Sequence, residues 1–301
     1  DAIFPGYGFL SENQDFVEIC RLHNIKFIGP SVEVMEKMAD KSKAKEEMIR
    51  AGVPVVPGSK GSVHSVTEGK KVALEIGYPI MAKAAAGGGG RGMRLIKEES
   101  EFDQLFMAAS SEALAAFGDG TMYLERFINN PRHIEVQVVG DSHGNAIHIG
   151  ERDCSLQRRH QKVIEESPAI LLNDETRAKL HDVAVKATKY LKYEGAGTFE
   201  FLADDKQNIY FMEMNTRLQV EHPVSEMVSG IDIVELMIKV AEGEKVPPQE
   251  SIKFRGHAIE CRITAEDPNS FLPSPGKVTQ WMVPGGRNVR VDSHVYTNYV
   301  V

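Results

Sequence analysis

One stretch, residues 213–223, carries the residue types that chemistry on a charged substrate needs. Its polar side chains recur at every second position: Glu213, Asn215, Arg217, Gln219 and Glu221. In an extended chain they share one face, and an ordinary half-exposed strand would give the same alternation. The order of types favours a site instead. Carboxylate, amide, guanidinium, amide and carboxylate can supply a metal ligand, an orienting donor, an anion clamp and a base.

A second carboxylate is predicted to lie beside Glu213. The apolar segments 198–202 and 209–212 predict a hairpin of core strands, which delivers Glu200 and Glu213 from neighbouring strands. Two carboxylates close together in a partly desolvated sheet repel each other unless a divalent cation lies between them. With Asn215 as a third ligand the donors are all oxygens, so the sequence favours magnesium or manganese over zinc.

A glycine-rich loop lies upstream, in residues 83–93. Gly87, Gly89 and Gly92 match the spacing of the dinucleotide-binding fingerprint, but a helix should follow that motif, and residues 93–96 predict a strand. The P-loop pattern also fails, because no Gly-Lys-Ser/Thr follows. The loop therefore predicts a mobile hairpin whose backbone N–H groups cover phosphates, with a flexible linker as the alternative.

Two further groups of cations indicate anion binding. Asp40 can cap a helix that ends at Gly52, which places Lys41 in the first turn. A cation there is unfavourable unless a phosphate shares the helix N-terminus with it. Residues 157–162 form a basic hexamer that a solvated or nucleic-acid-binding surface could also explain. In an acidic chain without interleaved aromatic residues, we favour a small-anion site.

Length and composition restrict the class of protein. The 301 residues can form two or three compact units with a sizeable core. The net charge of -8 disfavours nucleic acid or an anionic membrane as partner. Three cysteines without CxxC spacing favour a reducing compartment over a disulfide framework. No apolar run approaches membrane-spanning length and no leader is visible, so we expect a cytoplasmic protein, or one of the mitochondrial matrix in a eukaryote.

The elements that must position these side chains follow from periodicity. Residues 132–139 alternate and predict a strand, with a hairpin turn at 141–145. Residues 173–194 predict a long amphipathic helix. Ser11 and Gln14 predict the capping box of an N-terminal helix in a βαβ unit.

Five motifs together resemble the biotin carboxylase family of the ATP-grasp superfamily. They are residues 5–13, 87–93, 151–155, 157–162 and 213–223. The resemblance runs through essentially the whole chain. It implies an α+β ATP-grasp fold with a small mobile lid, and further sequence before Asp1 and after Val301. Ala86 and Phe4 depart from the family pattern, in which glycine and histidine are usual, but neither is a predicted ligand.

The resemblance divides the chain into five parts. Residues 1–28 would be the remnant of an N-terminal Rossmann-like domain, and residues 29–54 connecting helices. Residues 55–127 would be the lid, and residues 128–250 the catalytic core. Residues 251–301 would begin a β-rich C-terminal domain.

The resemblance also implies a role for each site residue. The residues implied to bind ATP are Lys41, Lys83, Gly87, Gly88, Gly89, Gly90, Gly92, Met93, Glu125, His133, Gln157, His160 and Leu202. Those implied to bind magnesium or manganese are Glu200, Glu213 and Asn215. Those implied to hold bicarbonate are Lys162, Arg217, Gln219 and Val220. Glu221 would be the base, and Arg262 would steady the enolate-like oxygen of biotin.

The implied reaction is the carboxylation of biotin by bicarbonate and MgATP through carboxyphosphate. It is the first half-reaction of biotin-dependent carboxylases such as acetyl-CoA carboxylase, which serves fatty acid biosynthesis. The implied partners are a biotin carboxyl carrier protein, a carboxyltransferase component and a second copy of the chain. Two alternatives stay open: another ATP-grasp ligase that forms an acyl phosphate, and a nucleotide-binding module without turnover.

Overall fold

The computed structural model describes residues 1–85, 92–159 and 161–301, without the side chains of Lys41 and Ser42. Its helices are α1 (Gln14–Leu22), α2 (Val32–Ala39), α3 (Lys41–Arg50), α4 (Val66–Ile76), α5 (Phe102–Phe117), α6 (Asp174–Tyr190), α7 (His222–Ser229) and α8 (Ile233–Ala241). Its strands are β1 (Ala2–Ile3), β2 (Lys26–Phe27), β3 (Ile80–Ala84), β4 (Met93–Ile96), β5 (Met122–Arg126), β6 (Arg132–Gly140), β7 (Ala146–Arg158), β8 (Gln161–Ser167), β9 (Gly195–Ala203), β10 (Ile209–Asn215) and β11 (Ala258–Cys261). The chain divides into two compact units, Asp1–Glu260 and Cys261–Val301.

A short parallel pair of strands, β1 and β2, flanks helix α1, as the predicted βαβ unit requires. The capping box predicted at Ser11 is wrong. Asn13 is the N-cap, and its Oδ1 accepts a hydrogen bond from Phe16 N at 2.7 Å. Ser11 Oγ instead donates to Gly8 O, because the preceding turn brings that carbonyl within reach. The helix therefore begins two residues later than the Ser11 pattern predicted.

A six-stranded sheet in the order β10-β9-β6-β7-β8-β11 forms the body of the first unit. In β6 the side chains of Ile134, Val136 and Val138 are fully buried in the main apolar core, as the alternation predicts. Helix α6 packs over them, and Asn173 caps it by accepting from Thr176 N at 2.8 Å. The apolar stripe of the helix predicted over 173–194 is buried throughout, although α6 ends at Tyr190: Leu180, Val183, Ala184, Ala187 and, just after the helix, Leu191. One face of the sheet therefore packs against the apolar core, and the polar side chains of the strands lie on the opposite face.

A smaller three-stranded sheet in the order β4-β3-β5 packs with α4 and α5 around its own apolar core. The strand predicted after the glycine-rich loop is β4, so the rejection of the dinucleotide-binding motif is confirmed. The two strands on either side of the loop are antiparallel, with Lys83 opposite Met93. Residues 86–91 of the loop lie outside the described residues.

The second unit, Cys261–Val301, is described by itself. Its backbone pairing consists of isolated bridges, Glu266 with Pro273 and Lys277 with Val300. Of the segment 251–301 that is predicted to be β-rich, residues Ala258–Cys261 form β11, and the isolated bridges follow it. Across the described ranges, no helix is long and apolar enough to cross a membrane.

Candidate active site

The polar face of the six-stranded sheet carries a row of charged side chains. In the strand register Glu135 of β6 lies opposite Arg152 of β7 on one side and Glu200 of β9 on the other. Glu200 in turn lies opposite Glu213 of β10, as predicted. Residues directly opposite each other on paired strands share a face and lie close together. The sheet therefore places four charged residues side by side.

Lys162 enters this row from β8 and binds three carboxylates. Its Nζ lies 2.8 Å from Glu200 Oε1 and 2.7 Å from Glu221 Oε1, and it also bonds Glu135. Burial alone would lower the pKa of Lys162, but these carboxylates hold that pKa above its usual value. The ammonium stays charged, so part of the basic hexamer is an internal cation rather than a solvated surface.

Arg152 is completely buried beside this cluster, and all five of its N–H donors are used. Nε donates to Glu135 Oε1 at 2.6 Å, Nη1 to Gln137 Oε1 at 2.8 Å and Ser225 Oγ at 2.9 Å, and Nη2 to Gln219 Oε1 at 2.9 Å and Thr198 Oγ1 at 3.3 Å. Burial would raise the pKa of Glu135, but Arg152 and Lys162 lower it to about 2. Glu135 is thus ionised although it is buried.

Glu200 is a second centre of hydrogen bonding. Its Oε1 accepts from Asn215 Nδ2 at 2.8 Å and from Gln219 Nε2 at 2.9 Å, and its Oε2 lies 3.0 Å from His133 Nε2. Burial would raise the pKa of Glu200, but His133 and Lys162 lower it to about 2. For His133 burial acts in the lowering direction, yet the carboxylates of Glu200 and Glu135 raise its pKa.

The carboxylates and the amide of this row supply oxygen donors of the kind that a hard divalent cation prefers, and one nitrogen donor, His133, lies among them. Ligand atoms of His133, Glu135 and Glu200 lie within 4.8 Å of one another, and Glu213 is the register partner of Glu200. Carboxylate and amide oxygens are the ligands that magnesium and manganese prefer. The geometry brings together the predicted ligands Glu200 and Asn215, which are hydrogen-bonded, and adds Glu135, which the sequence analysis did not select.

The segment after Asn215 is not the strand that its alternation suggests. β10 ends at Asn215, and α7 begins at His222 with a proline in its first turn. Thr216 N donates to Glu12 Oε1 at 2.9 Å, so a side chain replaces the strand partner. Gln219 and Glu221 are nevertheless buried in the cluster, 3% and 2% exposed. An irregular turn, not a pleated strand, delivers them.

Arg217 is oriented by the N-terminal motif. Its Nε donates to Glu12 Oε2 at 2.9 Å, and its Nη2 donates to Asn215 Oδ1 at 3.1 Å. Val220, which is also predicted to hold bicarbonate, lies in the turn before α7 and is partly exposed. Arg262 belongs to the second unit, which is described separately.

The residues predicted to bind nucleotide lie mainly on the three-stranded sheet and on β6 and β7. Lys83 Nζ donates to Glu125 Oε2 at 2.5 Å. Gln157 Nε2 lies 3.0 Å from His133 Nδ1, and Leu202 is the register partner of His133. Gly92 has φ of +65°, and a Cβ there would lie 3.0 Å from Ala84 Cβ. The predicted residues Gly87, Gly88, Gly89, Gly90 and His160 lie outside the described residues, as does the side chain of Lys41.

Sequence reasoning missed several residues of this site. Glu135 was on the polar side of the alternation in β6, so that pattern could have singled it out. Arg152 stood inside a recognised motif, but nothing in the sequence indicated a buried guanidinium. Glu12 and Lys45 are brought in by the tertiary fold from distant segments.

Comparison with known proteins agrees with this geometry. Residues 40–249 match the carbamoyl-phosphate synthase L chain, ATP binding domain. Residues 1–35 match the biotin carboxylase N-terminal domain, and residues 260–301 match the biotin carboxylase C-terminal domain. The chain is 56% identical to a biotin carboxylase of Nostoc sp., over 100% of this chain and 68% of the relative. The chain belongs to the biotin carboxylase family.

Relatives from plants and solved structures support the same family. The chloroplastic biotin carboxylase of Arabidopsis thaliana is 56% identical over 99% of this chain and 56% of its own length. A Campylobacter jejuni biotin carboxylase-beta-gamma-ATP complex is 68% identical with a TM-score of 0.93, covering 100% of this chain and 68% of that one. The chain thus spans about two thirds of the first bacterial relatives and little more than half of the chloroplast ones.

One solved relative is informative about ligands. The biotin carboxylase domain dimer of Hydrogenobacter thermophilus 2-oxoglutarate carboxylase, in complex with MgADP, ADP and bicarbonate, is 52% identical with a TM-score of 0.90. The match covers 100% of this chain and 67% of that one. The predicted family and the α+β ATP-grasp fold are confirmed by these similarities.

Proposed function

We propose that the chain catalyses the carboxylation of biotin by bicarbonate and MgATP. The observation that carries the proposal is the buried pair of Glu221 and Lys162, 2.7 Å apart, beside the carboxylates of Glu135 and Glu200. A base, a cation for an anionic substrate and a set of oxygen ligands for a metal then occupy one site. The relative in complex with MgADP and bicarbonate supports the same ligands here.

Bicarbonate needs activation because it is a weak nucleophile. Glu221 accepts its proton, and Lys162, Arg217 and Gln219 hold the resulting dianion with the backbone at Val220. Cations placed where charge develops are the strongest single contribution to such a step. The dianion attacks the γ-phosphate of ATP, and carboxyphosphate and ADP form.

ATP is held by the residues that the family resemblance selects. Lys83, the side chain of Lys41 and the loop of residues 87–93 contact its phosphates, while Glu125, His133, Gln157, His160 and Leu202 surround its adenosine part. Glu200, Glu213 and Asn215 hold magnesium or manganese, which supplies positive charge to the phosphates. The closed lid excludes water from the site. This protects carboxyphosphate, which hydrolyses when it is solvated.

Biotin receives the carboxyl group in the second step. Carboxyphosphate yields CO2 and phosphate inside the closed site, the released phosphate takes the N1′ proton of biotin, and N1′ captures the CO2. Arg262 steadies the enolate-like oxygen of biotin. The biotin is carried by a biotin carboxyl carrier protein, a carboxyltransferase component accepts the carboxyl group, and the full-length molecule is a homodimer.

The family plan also supports the proposed division of the chain. The three-stranded sheet, from Ile80 to Arg126, lies inside the proposed lid of residues 55–127. Strands β6 to β10 lie inside the proposed catalytic core of residues 128–250. Location in the cytoplasm, or in the mitochondrial matrix of a eukaryote, stays a prediction.

An assay of free-biotin carboxylation tests the proposal directly. ADP release is measured with MgATP, with and without bicarbonate and with and without biotin. We expect release that requires bicarbonate and rises with biotin. ADP release that requires a different carboxylic acid and an amine would support another ATP-grasp ligase instead. Tight nucleotide binding without any release would leave a binding module.

A further inference from the structure

A lysine that has no part in the proposed mechanism lies next to the proposed nucleotide residues. Lys45, on helix α3, donates from Nζ to Glu125 Oε1 at 2.6 Å and to the Tyr123 hydroxyl at 2.7 Å. The same ammonium lies 4.6 Å from the centre of the Tyr123 ring, within the range of a cation–π contact. Its side chain is 13% exposed. Lys45 is therefore fixed by three contacts.

Glu125 is shared between two lysines, one on each carboxylate oxygen. Lys83 Nζ donates to Oε2 at 2.5 Å while Lys45 Nζ donates to Oε1. The Glu125 side chain is only 14% exposed. Burial would raise the pKa of Glu125, but Lys83 and Lys45 lower it, so the carboxylate stays ionised. A carboxylate in such a place is costly to leave without a cation.

The two lysines come from different parts of the fold. Lys83 lies on β3 opposite Tyr123, so Lys83, Tyr123 and Glu125 share a face of the three-stranded sheet. Lys45 reaches that face from α3, a helix that packs against β10 of the large sheet. The Lys83 side chain is 39% exposed, against 13% for Lys45. Lys83 is thus the accessible partner, and Lys45 is the enclosed one.

This arrangement resolves a conflict in the proposed role of Lys83. A lysine that holds ATP phosphates must direct its ammonium at them, yet here Glu125 holds it. If Glu125 had Lys83 alone, the move would leave a nearly buried carboxylate unpaired. We propose that Lys45 is a positioning residue for ATP binding, which keeps Glu125 paired and in place while Lys83 turns to the phosphates. The inference rests on the proposed function through the phosphate role of Lys83.

A double-mutant cycle measured by isothermal titration calorimetry tests this inference. The variants are Lys45→Met, Glu125→Gln and the two combined, each titrated with MgATP and with adenosine. Lys45→Met should raise the Kd for ATP about tenfold, a loss that double-mutant cycles resolve easily. In the Glu125→Gln background the same change should cost less than about twofold, because a neutral amide needs no cation. Adenosine has no phosphate to draw Lys83 away from Glu125, so its Kd should not change in Lys45→Met.

Each other outcome overturns the inference for a stated reason. An equal loss of ATP affinity in both backgrounds would mean that Lys45 acts on ATP by its charge alone. An equal loss for adenosine in Lys45→Met would mean that the variant is locally misfolded, and an unchanged Kd for ATP would mean that Lys45 has no role. Lys43→Met, on the exposed side of the same helix, is the matched control and should bind ATP normally. Lys45→Arg, which keeps the charge, should retain most of the affinity.

The cycle also separates this inference from the proposed reaction, because binding is measured without turnover. A coupled cycle in a protein that does not carboxylate biotin would overturn the proposed reaction alone. An additive cycle in an active enzyme would overturn the role of Lys45 alone.

Discussion

Glu221 and Lys162 form the pair on which the proposed chemistry depends. The glutamate is 2% exposed, and its carboxylate touches an ammonium that also binds Glu135 and Glu200. Because the Glu221–Lys162 ion pair is buried, the additional bonds of Lys162 to Glu135 and Glu200 help to hold its geometry, together with the attraction between the two charges. In the proposed mechanism Lys162 would therefore serve both the carboxylates and the substrate, and Glu221, 2.7 Å from its Nζ, would be the base.

Replacement of the base tests this assignment. Glu221→Gln keeps the shape of the side chain but removes its ability to accept a proton from bicarbonate. We expect bicarbonate-dependent ADP release to fall by about 100-fold or more, the usual contribution of a general base. The Kd for ATP should stay within about twofold of the original. Glu235→Gln, on the exposed side of α8, is the control, and turnover preserved in Glu221→Gln would remove this residue from the mechanism.

In the proposed mechanism Arg152 would act on bicarbonate through Gln219. It fixes the amide by donating to Gln219 Oε1 at 2.9 Å, which leaves Gln219 Nε2 as donor toward Glu200 and toward the proposed bicarbonate. Arg152→Lys keeps the charge but loses the planar fork of donors. We expect the KM for bicarbonate to rise about tenfold while the KM for ATP changes little. Steady-state kinetics with each substrate varied in turn measure this, and equal rises in both KM values would indicate a merely structural role.

At the scale of elements, local patterns were good predictors where local physics decides. The cap Asp40 and the alternation of β6 follow from hydrogen bonding and side-chain direction within a few residues. The turn after Asn215 could not be predicted, because its polar residues alternate as in a strand. Glu12, 204 residues away, takes the Thr216 N–H and ends the pairing. No local pattern contains that contact.

The candidate site was predicted mainly by resemblance. The residue types in 213–223 indicated metal and anion chemistry, but only the fold shows which carboxylates meet. Glu135 and Arg152 are completely buried, and a charged residue is rarely so unless it is paired. Their pairing depends on the register of β6 with β7 and β9, which the sequence does not give.

Strand β6 ends where another segment crosses it closely, at Gly140. A Cβ at this position would lie 2.1 Å from the carbonyl oxygen of Tyr193, which is backbone and cannot move aside cheaply. Gly140→Ala should therefore lower the free energy of unfolding by roughly 2 kcal/mol, as overpacking typically does. Urea denaturation measures the change. Gly61→Ala, where an added Cβ meets nothing within 4 Å, should be close to neutral, and equal effects at both positions would contradict the steric explanation.

At the scale of the whole molecule, the core side of the large sheet contains a stack of rings that links three segments. His148 of β7 lies between His181 of α6, at 3.9 Å between ring centres, and Phe254, at 5.7 Å. Burial and the neighbouring His181 lower the pKa of His148 to about 3, although Glu151 acts in the raising direction. Glu151 itself is bound by His181 and Arg177. His148 is thus neutral in the folded protein at ordinary pH.

This neutral histidine predicts acid sensitivity. In the unfolded chain His148 becomes protonated near its ordinary pKa of 6.5. In the folded chain its pKa is about 3, so it becomes protonated only at much lower pH. Between these values the unfolded state binds more protons, so the free energy of unfolding falls as pH falls, by up to about 1.4 kcal/mol per pH unit. His148→Phe keeps a ring in the stack and should reduce the fall between pH 7 and pH 5. Urea denaturation at both values measures it, and identical slopes for the two proteins would show that His148 does not contribute.

The row that runs through Glu213, Glu200, Glu135 and Arg152 has one more consequence, which concerns changes of length. Each member is held at its place by the pairing of neighbouring strands, about 4.8 Å apart. Losing one residue within β6 would turn the side chains on one side of the deletion to the opposite face, so that apolar residues would enter the polar row and polar residues would enter the apolar core. Proteins that share this layout should therefore accept substitutions in these strands more readily than insertions or deletions.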